Sequence, residues 1–477
     1  MSQEATTISK KKTTKKIIGE VVAIAVCALI SLLPVPEGLT RNALITLGIL
    51  AWAVINWIFN CMDDFIVAIL MCVLWALFKT VPFATAFNGF SSTTWWILIG
   101  ALGLGTAVNK SGLLKRVSLY ALRLFPPTFK GQVMAMLGAG TIAAPLIPST
   151  TAKCAITAPI AMGIADQLGL PKQSQGRTGL YCAMYTGFSL TGTIFISASF
   201  LGYTILGVLP QEVQSQFHWL KWFVCMIPWA VVLLVGSYFF ITRAYRPETN
   251  EKLPPDMIKN QIAQLGKMSR EEKITTVVLA VCLVFWIGES YLGISSTIST
   301  LVAMGLLFAF GVLDKKDFQN KMLWGLMFFI GSVMGLGSVL DGVGVTAWLG
   351  DTFGPFLTQF ASNPYLLVLS VTLAIYLLRM VITSLTASMT IFTVILIPIA
   401  QAAGINPWVV GIISYVSVMV WYFRYMNANY LSAFAAAGGD EQVRYGDTAK
   451  MSFGYMAISL VGLLVSVPYW QLLGLIP

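Results

Sequence analysis

Over 477 residues, 57% hydrophobic and 10% charged side chains with a mean hydropathy of +0.78 exclude an ordinary soluble domain. Apolar stretches of about 17 to 25 residues, enough for a helix to cross roughly 30 Å of hydrocarbon, recur along the chain, so an all-α integral membrane protein is expected rather than a barrel. The formal net charge of +10 follows from where lysines and arginines collect, and no nucleic-acid partner is needed to explain it.

The chain opens on "KKKTTKK" (10–16), and the apolar run Ile17 to Leu33 behind it lacks a small-residue cleavage site. Residues 1–40 are therefore read as a basic tail and a retained first transmembrane helix, with the N-terminus cytoplasmic. Further spans are expected near 43–59, 65–81, 91–108, 178–208, 218–243, 273–289, 295–312, 322–341, 405–438 and 451–475. That makes eleven, of which 178–208 and 405–438 are too long for one straight helix. The apolar segments 132–165 and 364–401 are each interrupted by a polar cluster and are read as re-entrant hairpins. Residues 244–272 form a cytoplasmic connector with room for one short helix. In this layout every Lys and Arg is cytoplasmic except Arg41, Lys79 and Lys221 outside, and Lys153, Arg379 and Arg424 within apolar segments.

Catalysis finds little support. His218 is the only histidine, which leaves no Ser-His-Asp set, and neither H-E-x-x-H nor a Walker A sequence occurs. Ser149 and Lys153 are four residues apart, but the matching position of the second cluster is Ser388, so a Ser-Lys nucleophile is not expected. Seven cysteines (27, 61, 72, 154, 182, 225, 282) form no C-x-x-C pair and suit packing. Glu20, Asp63, Asp64, Asp166, Glu289 and His218 fall near span ends and are read as interfacial, which leaves no acidic group or histidine for proton coupling at the midplane.

The two halves repeat. "GLGTAVNKSGL" (103–113) matches "GLGSVLDGVGV" (335–345) at an offset of 232, and "STTAK" (149–153) matches "SLTAS" (384–388) at 235. "LGLP" (168–171) then faces "AGINP" (403–407). Repeat 1 covers 41–243 and repeat 2 covers 273–477. Each holds five spans and one hairpin, and an odd number of crossings inverts the second copy. Inverted repeats with broken helices characterise secondary transporters, whose substrate sites lie where the halves meet. A channel would need a continuous pore instead.

Ser149, Thr150 and Thr151 open a helix running to Ala165, and Ser384 and Thr386 open one running to Ala400. Helix N-termini offer free N–H groups and partial positive charge, which suit a carboxylate. A lone S-T-T in a membrane more often caps or packs a helix. Its recurrence at the same offset favours a site.

These residues resemble the divalent anion/sodium symporters, carriers of dicarboxylates and citrate whose two opposed hairpin tips bear Ser-Asn-Thr. The resemblance covers almost the whole chain, including the amphipathic "KSGLLKRVSLYALRLF" after the fourth span and a counterpart after the ninth. It implies a homodimer in which a transport domain moves across the membrane against a scaffold in elevator fashion. It also implies that Ser149, Thr150, Thr151, Ser384, Leu385 and Thr386 hold the substrate carboxylates.

Two departures bear on mechanism. Both motif asparagines are replaced, by Thr150 and Leu385, which removes amide donors. Lys153 lies where related carriers bind a cation, and Arg424 in "WYFRYMNANY" (421–430) is its expected counterpart. The family's cation sites correspond here to Thr191, Gly192 and Thr193 in "TGTIF", to Ser388, and to Asn427 and Asn429. Fixed charge at Lys153 and Arg424 would replace sodium and make the empty carrier reluctant to cross. Arg379 stands between substrate charge balance and structural pairing. The expected activity is sodium-independent exchange of C4/C5 dicarboxylates such as succinate, malate or 2-oxoglutarate. The alternative is a sodium-coupled dicarboxylate or citrate symporter. No cofactor and no metal are expected, apart from sodium in that alternative. The expected setting is a bacterial inner membrane.

Overall fold

The computed structural model describes residues 3–254, 256–349, 351–352, 363–382 and 384–477, with side chains from Lys16 onward. Half of 342–363, where the second amphipathic segment is expected, lies outside these residues, as does Thr383 in the second hairpin segment.

Among the described residues every regular element is helical. The principal helices of the first half are α1 (Gln3–Leu32), α2 (Arg41–Phe59), α3 (Asp64–Leu77), α4 (Thr93–Ser111), α5 (Leu113–Leu122), α6 (Phe129–Ala143), α7 (Thr150–Gln167), α8 (Gln175–Phe188), α9 (Phe200–Val208) and α10 (Trp219–Ala244). Those of the second half are α11 (Arg270–Ile287), α12 (Ser296–Ala309), α13 (Trp324–Met334), α14 (Leu336–Gly342), α15 (Pro364–Leu378), α16 (Leu385–Ala402), α17 (Pro407–Val418), α18 (Ala428–Ala436) and α19 (Tyr445–Leu472). The connector carries one short helix, Met257–Gln264.

By length and apolarity, α2, α10, α13 continued by α14, α16 and α19 are each able to cross a bilayer without a break. Helices α4 and α5 meet at a 73° bend. Gly112 makes the corner with φ +81°, a conformation glycine adopts without a Cβ penalty. The amphipathic α5 is then tied to the base of α11 by the buried pair Arg116–Glu272, 2.7 Å apart.

Both over-long spans are broken. Between α8 and α9 the chain runs through 3-10 turns at Leu190–Thr193 and Ile196–Ala198. Between α17 and α18 it passes through irregular backbone at 419–427. Interrupted backbone at membrane depth must be enclosed by protein or line a cavity, and aromatic rings enclose this one. Tyr185 meets Trp421 edge-on at 4.9 Å, and Trp421 stacks on Tyr430 at 5.6 Å.

Close helix contact depends on small residues. Helices α6 and α8 touch through Gly140 and Gly187, where a Cβ on Gly140 would fall 2.0 Å from the Gly187 backbone. Helices α10 and α19 pack along Gly236, Gly454 and Gly462, and Trp229 donates to Ser459 Oγ at 3.1 Å. All seven cysteines are free.

Candidate functional site: two capped helix starts and two buried bases

Pro148 ends the short 3-10 turn and loop after α6, and Ser149 starts α7 as its N-cap with Oγ accepting from Ala152 N at 3.3 Å. Such a cap satisfies one of the free N–H groups at a helix start. Thr150 is buried, and its Oγ1 has no hydrogen-bond partner among the described residues. Thr151 Oγ1 donates to Asn429 Oδ1 at 2.9 Å, joining the first cluster to the break in the second half of the chain.

The second start repeats the pattern. Ser384 caps α16 and accepts from Ala387 N at 3.3 Å. Leu385 and Thr386 follow, both half-buried. Thr386 lines a cavity of about 680 Å³ shared with Lys16, Asp63 and Asp64.

Each cluster lies beside a fully buried base. Lys153, 0% exposed, donates from Nζ to the carbonyl oxygen of Ala198 at 2.8 Å, inside the α8–α9 break. A methyl placed on Gly192 would come within 3.7 Å of the same nitrogen. No ion pair among the described residues involves Lys153. A buried ammonium is costly without a partner, and here backbone carbonyl dipoles provide the compensation. Thr191 and Thr193 are buried in that break and bond to Gly187 O and Leu190 O, the latter at 2.9 Å; neither side chain has a bond to the α7 cluster.

Arg379, also 0% exposed, does the equivalent in the second half. Its Nη1 donates to Ile382 O at 2.5 Å and Ser388 Oγ at 3.1 Å, with Ser384 O at 3.4 Å, and its Nη2 donates to Met426 O in the α17–α18 break. Ser388 passes its own proton to Ser384 O at 2.6 Å. Arg379 is thus the buried base beside the second helix start. Arg424, expected as the counterpart of Lys153, lies exposed instead: its Nη2 donates to both Asp440 carboxylate oxygens at 2.8 and 2.9 Å, and the guanidinium lies over the Tyr445 ring at 4.8 Å. Its charge is neutralised and solvated because the chain turns outward at 423–425, where aromatic rings and Asp440 are available.

Asn427 caps α18, accepting from Tyr430 N at 3.1 Å, while Asn429 alone reaches the first cluster. The short stretch Met426–Asn429 thus touches both helix starts, through Arg379 at one end and Thr151 at the other. The carbonyl oxygens of Ala198 and Met426, one in each break, accept from Lys153 and Arg379.

One contact escaped the sequence reading. Asp64, expected as an interfacial residue, accepts a 2.7 Å hydrogen bond from Ser384 Oγ across 320 residues of sequence. The "DD" at the start of α3 was visible, but nothing local to it points to its partner.

Helices broken at polar clusters, each beside a buried base, define a membrane transporter rather than an enzyme. Residues 14–476 match the sodium:sulfate symporter transmembrane region, and the chain belongs to that family, as the resemblance to divalent anion/sodium symporters anticipated. A membrane protein of Cupriavidus necator is 26% identical over 80% of this chain and 78% of its own length. The inner membrane protein YbhI of Escherichia coli is 27% identical over 72% and 74%. The L-tartrate/succinate antiporter of Escherichia coli is 24% identical over 80% and 82%. Among solved structures, MtrF of Neisseria gonorrhoeae, described with a class of antimetabolite efflux pumps, shares the fold at TM-score 0.58 and 16% identity, covering 96% of this chain and 94% of that one. The YdaH transporter of Alcanivorax borkumensis does so at TM-score 0.56 and 16% identity, over 85% and 90%.

Proposed function

We propose that this protein exchanges C4/C5 dicarboxylates, of the succinate, malate and 2-oxoglutarate class, across a bacterial inner membrane without sodium. The observation that carries the reading is Lys153, a buried ammonium held by a carbonyl of the broken span, with Arg379 buried beside the second helix start. Two fixed positive charges beside two helix N-termini favour a dianion. They also leave the empty site carrying net charge, which hydrocarbon resists, while a bound dianion cancels it. The similarity to an L-tartrate/succinate antiporter supports both the substrate class and exchange.

In this reading Ser149, Thr150, Thr151, Ser384, Leu385 and Thr386 form the substrate site, and Asn429 orients Thr151. Leu385 supplies no side-chain donor, so hydroxyls and backbone N–H groups hold that end of the ligand. Thr191, Gly192, Thr193, Ser388 and Asn427 shape the former cation positions. The chain spans the membrane eleven times from a cytoplasmic N-terminus, with 132–165 and 364–401 as re-entrant hairpins of two inverted repeats. It works as a homodimer by an elevator movement.

The test is uptake of labelled succinate and 2-oxoglutarate into proteoliposomes, empty or preloaded with dicarboxylate, with and without sodium. Uptake that needs internal dicarboxylate and ignores sodium is expected. Uptake into empty vesicles driven by a sodium gradient would overturn the reading in favour of a sodium-coupled dicarboxylate or citrate symporter.

A further inference from the structure

The hydrogen bond from Ser384 Oγ to Asp64 Oδ2, 2.7 Å long, puts a carboxylate of the protein on a residue proposed to hold a carboxylate of the substrate. Ser384 is the N-cap of an 18-residue helix, so Asp64 sits at that helix's positive end, as a bound anion would. Local structure does not explain the contact. Asp64 opens α3 and already gains from its own helix's N-terminus, and Asp63 is the residue in the N-cap position.

The two partners have different main packing neighbours. Helix α3 packs chiefly on α2 and α13, whereas α16 packs chiefly on α17 and α9, and the two groups also touch where α2 meets α16 and α9 meets α13. The bond adds a polar tie between them at the place where α16 starts. No ion pair among the described residues involves Asp64. The cavity of about 680 Å³ that has Asp64 and Thr386 on its wall also has Asp63 and Lys16, so a ligand can reach the bond through it.

We propose that Asp64 is a built-in carboxylate that occupies Ser384 in the empty carrier and latches the two helix groups together until a dicarboxylate displaces it. The idea rests on the dicarboxylate-exchange reading and deepens it. A substrate carboxylate and Asp64 cannot share one hydroxyl donor, because two carboxylates at hydrogen-bonding distance repel. Binding of substrate at Ser384 therefore breaks the tie, and loss of substrate restores it. The latch adds to the fixed charges of Lys153 and Arg379 a second reason for the empty carrier to stay where it is.

The experiment uses the full-length protein in liposomes, as wild type, D64N and D64A. Labelled succinate uptake is compared between empty and succinate-preloaded vesicles, and succinate binding is measured on the purified protein. If Asp64 is the latch, D64A raises empty-vesicle uptake about tenfold relative to exchange and binds succinate several-fold more tightly. D64N keeps the shape and one acceptor oxygen without the charge, so it shifts both readouts part of the way, and it carries the test should D64A fail to insert. Wild-type exchange with an unchanged ratio of empty to preloaded uptake in both variants would overturn the latch and leave the exchange reading standing. A parallel loss of both modes with unaltered binding would do the same. A wild type that neither binds nor moves dicarboxylates would overturn the exchange reading, and the latch with it.

Discussion

The ammonium of Lys153 lies 2.8 Å from the carbonyl oxygen of Ala198, so a side chain from the start of α7 plugs the break between α8 and α9. Replacing Lys153 with Ala removes a buried charge and takes this donor from the Ala198 carbonyl. Succinate exchange in proteoliposomes is expected to fall at least tenfold, about 1.4 kcal/mol in the transport barrier. Full sodium-independent exchange in the variant would remove Lys153 from the mechanism.

Arg379 and Arg424 are expected to behave oppositely. Arg379→Lys loses the fork that bonds Ile382 O, Ser388 Oγ and Met426 O together, and an ammonium cannot span those acceptors. Exchange should be abolished or the protein recovered in low yield. Arg424→Ala removes an exposed pair with Asp440 and a ring contact, together worth about 1 kcal/mol. Its exchange rate should stay within about twofold of wild type, on the scale of that surface loss. Equal loss in the two variants would return Arg424 to the site.

The Thr151–Asn429 bond offers a coupling measurement. Asn429→Ala and Thr151→Val should each raise the apparent KM for succinate, and the double variant should cost less than the sum of the singles. A coupling near 1 kcal/mol is expected for a partly buried neutral hydrogen bond. Strict additivity would show that the contact does not matter to the substrate site.

In the short helix Lys315–Asn320, burial works against the charge of Asp317, yet hydrogen bonds from Lys110 and Lys321 hold its carboxyl down at about 2. Because the folded value is depressed, the stabilisation is complete above the unfolded carboxylate range near ~4 and is lost as pH falls toward 2. Asp317→Asn should therefore lower the thermal midpoint of the purified protein at pH 7. The gap to wild type should narrow between pH 4 and pH 3. A gap independent of pH would assign the loss to packing.

Gly140→Ala probes the α6–α8 contact. Its Cβ would sit 2.0 Å from Gly187 backbone, and neither helix can give way without moving a cluster or a break. A destabilisation of about 1–3 kcal/mol is expected, read as a lower thermal midpoint. The exposed-loop Gly266, where an added Cβ meets nothing within 4 Å but φ is +66°, should cost less as Ala.

Much of this protein was legible along the chain, because bilayer thickness dictates helix length and a polar cluster in an apolar run has to be a break or a cap. The starts of α7 and α16 at Thr150 and Leu385, with Ser149 and Ser384 as caps, the splitting of 178–208 and 405–438, and the 257–264 helix all follow from such local rules. Membership of the sodium:sulfate symporter family followed from the order and spacing of the same motifs. Partnerships between distant residues were a different matter. Arg379 and Arg424 look alike in sequence, each one base in an apolar stretch, and only the fold turns one inward to Met426 O and the other outward to Asp440. Asp64 and Ser384 meet across 320 residues for the same reason. Hydropathy and capping act over a few turns of helix, whereas the partner of a charged group is set by which helices pack together, and that was decided by the tertiary structure alone.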